Sequence, residues 1–496
     1  MKRFILIVVC LWWVLALSCK RVGERPTVFD NTPRVTYAPG FVYLDSAQFY
    51  LDSMPWYPLM LNYKLQSSLA PASYYTEGGF ESHFSQIEEM GFNALRICMD
   101  VLNSDASGYM YGKMRVIDDS AAIFEKVQTM LSAAAAHHLR VMLLLKAPLE
   151  QQLQEFTAAL LRHFAQDPTL FAYDFMNEPL YFDPVKDRSK DSCYSIVDGW
   201  RQMMMDNAPN QLFTIGFSEP IEVFCWDASV LPVDFVEIHT YHPLRISSEM
   251  YWYHHFIRKP FMIGETALPA DGDSISYDRQ AEYLVQSYRQ ARNYGAIGYG
   301  WWEFQDCPQG VNFEAQYPGM LDTEGRKKPV ADRVKSLKLS DTLADRMPVN
   351  YYNVLGYSNI MLEGRVISVD TKFPVKGAVV RGWNRDWSVG VNSFTDNNGY
   401  FHLYSNDSCV YFTVSAPGYR TSKQFKRTDY ALYSRKSIRQ FKLDSLPYKT
   451  REYQQIPLLE FLRDTTFFSY QAKDFNQYRY KGNLGSIELE PLQVIR

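Results

Sequence analysis

The chain has 496 residues, 47% hydrophobic and 21% charged, with a formal net charge of −4 from 51 Lys+Arg against 55 Asp+Glu. That balance excludes a disordered chain and offers no basic footprint for nucleic acid, and seven Cys in this length do not make a disulfide scaffold. At about 150 residues per domain the length predicts roughly three units, or two if one of them is a barrel of about 250 residues. The 35 Tyr, 31 Phe and 10 Trp suit either a core or surfaces on which sugars stack, and composition does not choose between them.

At the start of the chain, Lys2 and Arg3 precede an apolar run over 4–17, shorter than the roughly 20 residues that a membrane span needs. A basic start, a short apolar run and then small residues read as an export signal. The run ends Leu15-Ala16-Leu17-Ser18-Cys19, which resembles the lipobox of bacterial lipoproteins. The resemblance implies a signal over 1–19, lipidation of Cys19, and an exported protein at the bacterial outer membrane or cell surface that meets the membrane only through its lipid. Plain secretion or a periplasmic location, after cleavage behind the Ala16-Leu17-Ser18 tripeptide, is the alternative. Residues 20–35 are polar and contain Pro, which suits a tether.

From residue 36 to about 345 the pattern is one of alternating elements. Phe41–Leu44 and Gln48–Leu51, separated by Asp45-Ser46, read as a short hairpin. Helical periodicity then marks Phe84–Met90, Ile123–His138, Gln151–Phe164 and Arg279–Tyr294. Between the helices fall eight apolar runs: Tyr57–Leu61, Ala94–Cys98, Val141–Leu145, Phe171–Met176, Leu212–Phe217, Phe235–Ile238, Phe261–Gly264 and Ala296–Trp301. Eight buried strands alternating with helices predict a (β/α)8 TIM barrel of the α/β class.

After about residue 350 helical period disappears, and short strands bounded by turns predict a small all-β sandwich over 353–496. Asp396-Asn397-Asn398-Gly399 reads as a hairpin turn. Gly364-Arg-Val, Gly377-Ala-Val-Val, Thr395-Asp-Asn-Asn-Gly-Tyr-Phe401 and Ala416-Pro-Gly-Tyr419 resemble the carboxypeptidase regulatory-like (transthyretin-like) domain. The resemblance implies an accessory module without catalytic residues, a last strand at Leu484–Leu489, and an insertion near 424–480.

In a barrel, reacting groups project from the C-terminal ends of the strands. The fourth strand ends Asn177-Glu178-Pro179 and the seventh Ile263-Gly264-Glu265, which places two carboxylates across one mouth. A pair about 5–5.5 Å apart supports retaining glycoside hydrolysis by double displacement, in which one group donates a proton to the leaving oxygen while the other attacks the anomeric carbon. Arg96 on the second strand is placed to hold the attacking carboxylate ionised, and Tyr241 on the sixth to hydrogen-bond it. Asn177 is placed to bind the sugar 2-hydroxyl and Trp302 to floor the ring.

Five motifs in order, Gly91-Phe-Asn-Ala-Leu-Arg96-Ile, Asn177-Glu178-Pro179, His239-x-Tyr241, Ile263-Gly-Glu265 and Trp302-x-Phe-x-Asp306, resemble glycoside hydrolase family 5 and, more widely, clan A of the glycoside hydrolases. The resemblance covers roughly 40–340. It implies Glu178 as acid/base, Glu265 as nucleophile, Arg96, Asn177, His239 and Tyr241 as supports, and Trp302 as platform. It also implies an oligosaccharide or polysaccharide substrate, β-mannan or β-glucan first, and neither cofactor nor metal. Two features depart from the pattern. The third strand ends Lys146-Ala147 where many members carry a His, and Glu265 is followed by Thr266-Ala267 rather than an aromatic residue and Gly.

Structural alternatives stand beside these roles. Arg96 and Glu265 together also read as an ion pair, His239 as a core histidine, and Trp301 as the platform in place of Trp302, since successive strand residues alternate. His242, Trp226, Glu303 and Glu219-Pro220 are further candidates for the cleft wall. The His254-His255 pair lacks metal-ligand spacing. The alternative function is a non-catalytic cell-surface glycan-binding lipoprotein on the same barrel.

Overall fold

The computed structural model describes residues 38–99 except 67, 120–337 except 186, 242–244 and 311, 360–442 except 388–389, 406, 424 and 435–439, and 480–492. The expected signal, Cys19, the tether, His242, the boundary between the two domains and residues 443–479 of the expected insertion lie outside them.

Three short strands open the described chain: β1 (Val42–Asp45), β2 (Gln48–Leu51) and β3 (Met54–Trp56) form an antiparallel meander. Eight parallel strands follow: β4 (Leu59–Lys64), β5 (Ala94–Cys98), β6 (Arg140–Leu144), β7 (Leu170–Asn177), β8 (Leu212–Phe217), β9 (Val236–His239), β10 (Phe261–Glu265) and β11 (Tyr299–Trp301). They pair in sequence and β11 closes on β4, so the barrel is complete. The main helices between them are α1 (Phe80–Met90), α2 (Ser120–Ala136), α3 (Gln151–His163), α4 (Lys190–Asn207), α5 (Pro220–Trp226), α6 (Arg245–Phe256) and α7 (Tyr277–Asn293).

Two strands start at least two residues later than the apolar runs predicted. Pro58 has no N–H for a ladder, and the Asn93 side chain takes both Tyr57 O (3.0 Å) and Leu59 N (2.8 Å), so pairing begins at Leu59. Before β11, Gly295 adopts φ 84° and Ala296 N returns to Ala291 O. Ala296 therefore completes the exit of α7, and Ile297 and Gly298 make single bonds to Phe261 O and Ile263 N before the strand begins at Tyr299.

The N-terminal end of the barrel is plugged. Phe49 of β2 meets Phe171 and Phe235 edge-on at 6.3 and 5.1 Å, and Trp56 meets Phe171 at 5.2 Å. With Met60, Met142, Met262 and Ile297 they form one apolar layer. One level higher the interior turns polar: Asn62, Arg96, Asp174, Thr214 and Glu237 all point inward and are fully buried. Glycine supplies the room, because a Cβ at Gly264 would overlap the Glu237 carboxylate.

The second domain packs two sheets around its own apolar core. One holds β12 (Ile360–Ser368), β15 (Tyr400–Ser405), β18 (Ala431–Ser434), β19 (Gln440–Lys442) and β20 (Tyr480–Leu489). The other holds β13 (Val379–Trp383), β14 (Gly390–Phe394), β16 (Tyr411–Ser415) and β17 (Phe425–Lys426). The turn at Asp396–Gly399 closes with Gly399 N on Asp396 O at 3.0 Å. It is a corner rather than a hairpin, since β14 and β15 belong to different sheets. The buried Thr395 hydroxyl binds Ala378 N and Val375 O at 2.8 and 2.7 Å, which fixes the chain beside β13 just before it crosses to β12.

Candidate active site

At the C-terminal end of the barrel, β7, β9 and β10 deliver Glu178, His239 and Glu265 to one spot. One ligand atom from each lies within 4.8 Å of the others. Glu178 N bonds to Gly216 O at 2.8 Å as the chain leaves β7. The residue then takes a left-handed conformation, φ 41° and ψ 70°, and starts the single helical turn Pro179–Phe182, with Pro179 at the first position. Tyr181 and Phe182 N–H return to Glu178 O at 2.9 and 3.0 Å. A left-handed glutamate costs about 1–3 kcal/mol, so its surroundings must hold it there.

Arg96 organises the floor of the site. Its Nη1 lies 2.5 Å from Glu265 Oε1 and 3.1 Å from Asn62 Oδ1. Its Nη2 donates to Asp174 (2.8 Å) and to the Asn177 amide oxygen (2.7 Å). Its Nε lies 2.9 Å from Glu237. Asn62 in turn donates to the carbonyls of Gly264 and Trp301, tying β4 to β10 and β11. This fork needs a planar guanidinium, which a lysine does not supply.

The charge balance makes the two glutamates unlike. Burial would raise the pKa of Glu265, but the charges of His239 and Arg96 and the hydrogen bond from the Tyr241 hydroxyl outweigh it and hold the carboxyl below its usual range. His239 lies 2.8 Å from Glu178, 3.7 Å from Glu265 and 3.6 Å from Glu237. Burial alone would lower its pKa, yet the Glu265 charge and the bond to Glu178, with Glu237 beside it, push it up to about 10. The ring is a cation at neutral pH. Asp174 is pushed up by burial and by the Glu237 carboxylate. Glu178 is the more open of the pair, its side chain 15% exposed against 5% for Glu265.

Trp301 is fully buried and donates to Pro318 O at 2.9 Å, whereas Trp302 is half-buried at the mouth, with Lys64 Nζ 4.7 Å above its ring. Glu303 is fully buried and takes Lys64 (3.0 Å) and the Tyr74 hydroxyl (2.8 Å), so it braces the wall from behind. Trp226 packs on Phe217, and Glu219 faces Tyr181 and Arg381. His254 and His255 are exposed on α6, where His255 bonds to Tyr251 O.

Asp174, Glu237 and Asn62 were not among the residues that the sequence singles out. A signal was available: Asp174 and Glu237 each sit inside an otherwise apolar run, and a buried charge in such a place is costly unless it is paired.

Among the described residues, Glu178, His239 and Glu265 are the group whose atoms lie close enough to hold a cation. The donor chemistry opposes it. His239 Nδ1 is already engaged with Glu178 at 2.8 Å, and Arg96 already takes a Glu265 oxygen.

No protein family and no curated protein matches this chain. Solved structures do. An exo-β-1,4-mannosidase from Opitutaceae bacterium strain TAV5 is 17% identical with a TM-score of 0.44, the match covering 61% of this chain and 61% of that one. An endo-1,4-β-mannanase from Rhizomucor miehei is 15% identical (TM-score 0.45; 60% and 99% covered). A β-glucuronidase from Bacteroides uniformis is 12% identical (TM-score 0.44; 83% and 53% covered). Likeness at this level says nothing of substrate or reaction.

Proposed function

We propose that the chain is a retaining glycoside hydrolase that cleaves β-linked glycans. The observation that carries this reading is the closeness of Glu178 and Glu265, whose carboxylate oxygens lie within 4.8 Å of each other. One oxygen of each carboxylate within that distance suits direct attack, as in a retaining pair about 5–5.5 Å apart, better than the separation of about 6.5–9.5 Å that makes room for water in an inverting pair. Glu265, kept ionised by Arg96 and Tyr241, attacks the anomeric carbon. Glu178, the more open group, protonates the leaving oxygen, and the carboxylate it becomes is stabilised by the His239 cation 2.8 Å away. Water then enters, and Glu178 takes its proton while the bond to Glu265 breaks. The Asn177 amide, oriented by Arg96, is the group for the 2-hydroxyl, and Trp302 is the platform. β-Mannan and β-glucan are the first substrates to try, and the lipobox-like sequence at Cys19 supports an anchored enzyme on a bacterial envelope.

The test is hydrolysis of a panel of chromogenic β-glycosides and β-linked polysaccharides by the wild type, Glu265→Ala and Glu178→Ala. Turnover that disappears in Glu265→Ala supports the reading. A wild type as inert as Glu265→Ala, yet retained on a glycan, would make the barrel a binding module.

A further inference from the structure

The second domain reaches the turn that carries Glu178, and it does so through α5. Glu219, just before α5, accepts from the Tyr181 hydroxyl at 3.0 Å. Glu222, on the first turn of α5 and buried, accepts from Leu180 N, from Ser218 N and from Ser218 Oγ. Two carboxylates of one short segment therefore hold two consecutive residues of the Pro179–Phe182 turn, whose N–H groups close on Glu178 O.

From the other side, α5 is fixed by the second domain. Arg381 of β13 pairs through Nη1 with Glu219 Oε2, and its Nη2 lies 3.4 Å from Oε1. The guanidinium is buried and rests 4.3 Å from the Trp383 ring centre. Ser415 Oγ donates to Phe224 O at 2.7 Å. Asp227, which caps the end of α5, takes Gly418 N at 2.7 Å and Lys190 at 3.3 Å, and Lys190 also donates to Ala416 O at 2.7 Å. Phe394 stacks on Trp252 of α6 at 4.6 Å.

We propose that Arg381 is a positioning residue for Glu178: through Glu219 and Tyr181, the second domain holds the catalytic turn in its left-handed conformation. A left-handed glutamate relaxes unless its neighbours over-determine it. A buried guanidinium–carboxylate pair gives the directional fork that holds Glu219 in place for Tyr181. The sandwich is thus part of the active-site support rather than an appended module. This rests on the acid/base role of Glu178 proposed above.

The experiment uses the full chain with Arg381→Met, Arg381→Lys and Tyr181→Phe. Each is assayed on two aryl β-glycosides of the same sugar: a dinitrophenyl glycoside, whose leaving group departs without a proton, and a phenyl glycoside, whose leaving group needs one. A misplaced acid costs about 10- to 100-fold on the phenyl substrate. On the dinitrophenyl substrate the fall stays within about threefold. Arg381→Lys restores part of the loss, and Tyr181→Phe, which keeps the buried pair and the fold, shows the same pattern more weakly. Equal losses on both substrates, or none, would overturn the proposal. A second readout needs no turnover. In Arg381→Met the amides of residues 180–182 exchange hydrogen at least about tenfold faster than in wild type, while those of β10 do not change. Unchanged exchange at 180–182 overturns the proposal even if the wild type hydrolyses nothing, and an inert wild type with accelerated exchange overturns only the assignment of function.

Discussion

The two ends of the barrel are made by the same eight strands and could hardly differ more. At the N-terminal end, Met60, Met142, Met262 and Phe171 meet Phe49 and Trp56 in an apolar layer. A few residues further along those strands stand Asn62, Arg96, Asp174, Glu237 and Glu265, all buried. Position along a strand decides whether a side chain serves stability or chemistry. The plug permits the charge cluster, since it keeps water out from below and leaves the charges no solvent but each other.

Mutations at the two ends should therefore separate activity from stability. The largest effect is on activity: Glu265→Ala lowers kcat by about 10⁴-fold or more. Its unfolding midpoint falls less than that of Arg96→Met, because Arg96 keeps Asp174 and Glu237 as partners. Assay and denaturant unfolding on one preparation check this, and a variant that unfolds early would break the contrast.

Next come two losses of stability from opposite ends. Phe49→Ala opens a cavity in the plug and costs about 3–5 kcal/mol in urea unfolding, while the protein that remains folded turns over within about twofold of wild type. Arg96→Met strands three buried carboxylates and costs about 3–5 kcal/mol near neutral pH. The two differ in pH dependence. The Arg96→Met loss shrinks in acid, where the carboxylates take up protons, and the Phe49→Ala loss does not.

The smallest effect is the pH dependence of the wild type itself. His239, raised from 6.5 to about 10, gives stability that is fully present below 6.5 and is lost as pH rises toward 10. Glu265, held below its ordinary value of 4.5, gives stability present above 4.5 and lost as pH falls through its folded value. Together they set an optimum between 4.5 and 6.5, read as a Tm maximum. In His239→Asn the alkaline decline flattens, and the acid one persists more weakly on Arg96 and Tyr241.

The barrel was legible because each buried strand is an apolar run of the right length between turn signals, and because Glu178 and Glu265 end two of those runs. The site's surroundings were harder to read. α4 shows helical spacing at Cys193, Val197, Trp200 and Met204, yet it carries enough charge between them to blur the period. That the first hairpin plugs the barrel depends on where Phe49 comes to rest, which no local pattern states. Arg381 reads locally as one polar position in a sandwich strand. Its partner Glu219 lies 162 residues away in another domain, and only tertiary packing joins them. The corner at Asp396–Gly399 misleads for a similar reason, since its turn chemistry is that of a hairpin and the choice of sheet is made by Thr395.

The central claim is direct attack by Glu265 on a sugar whose leaving group Glu178 protonates. A proton NMR time course on a β-glycoside, begun before mutarotation sets in, reports the configuration of the first sugar released. The β-anomer, formed by two inversions, is the expected first product. The α-anomer as first product would mean that water attacks in a single step, and the arrangement described here would not be the reacting one.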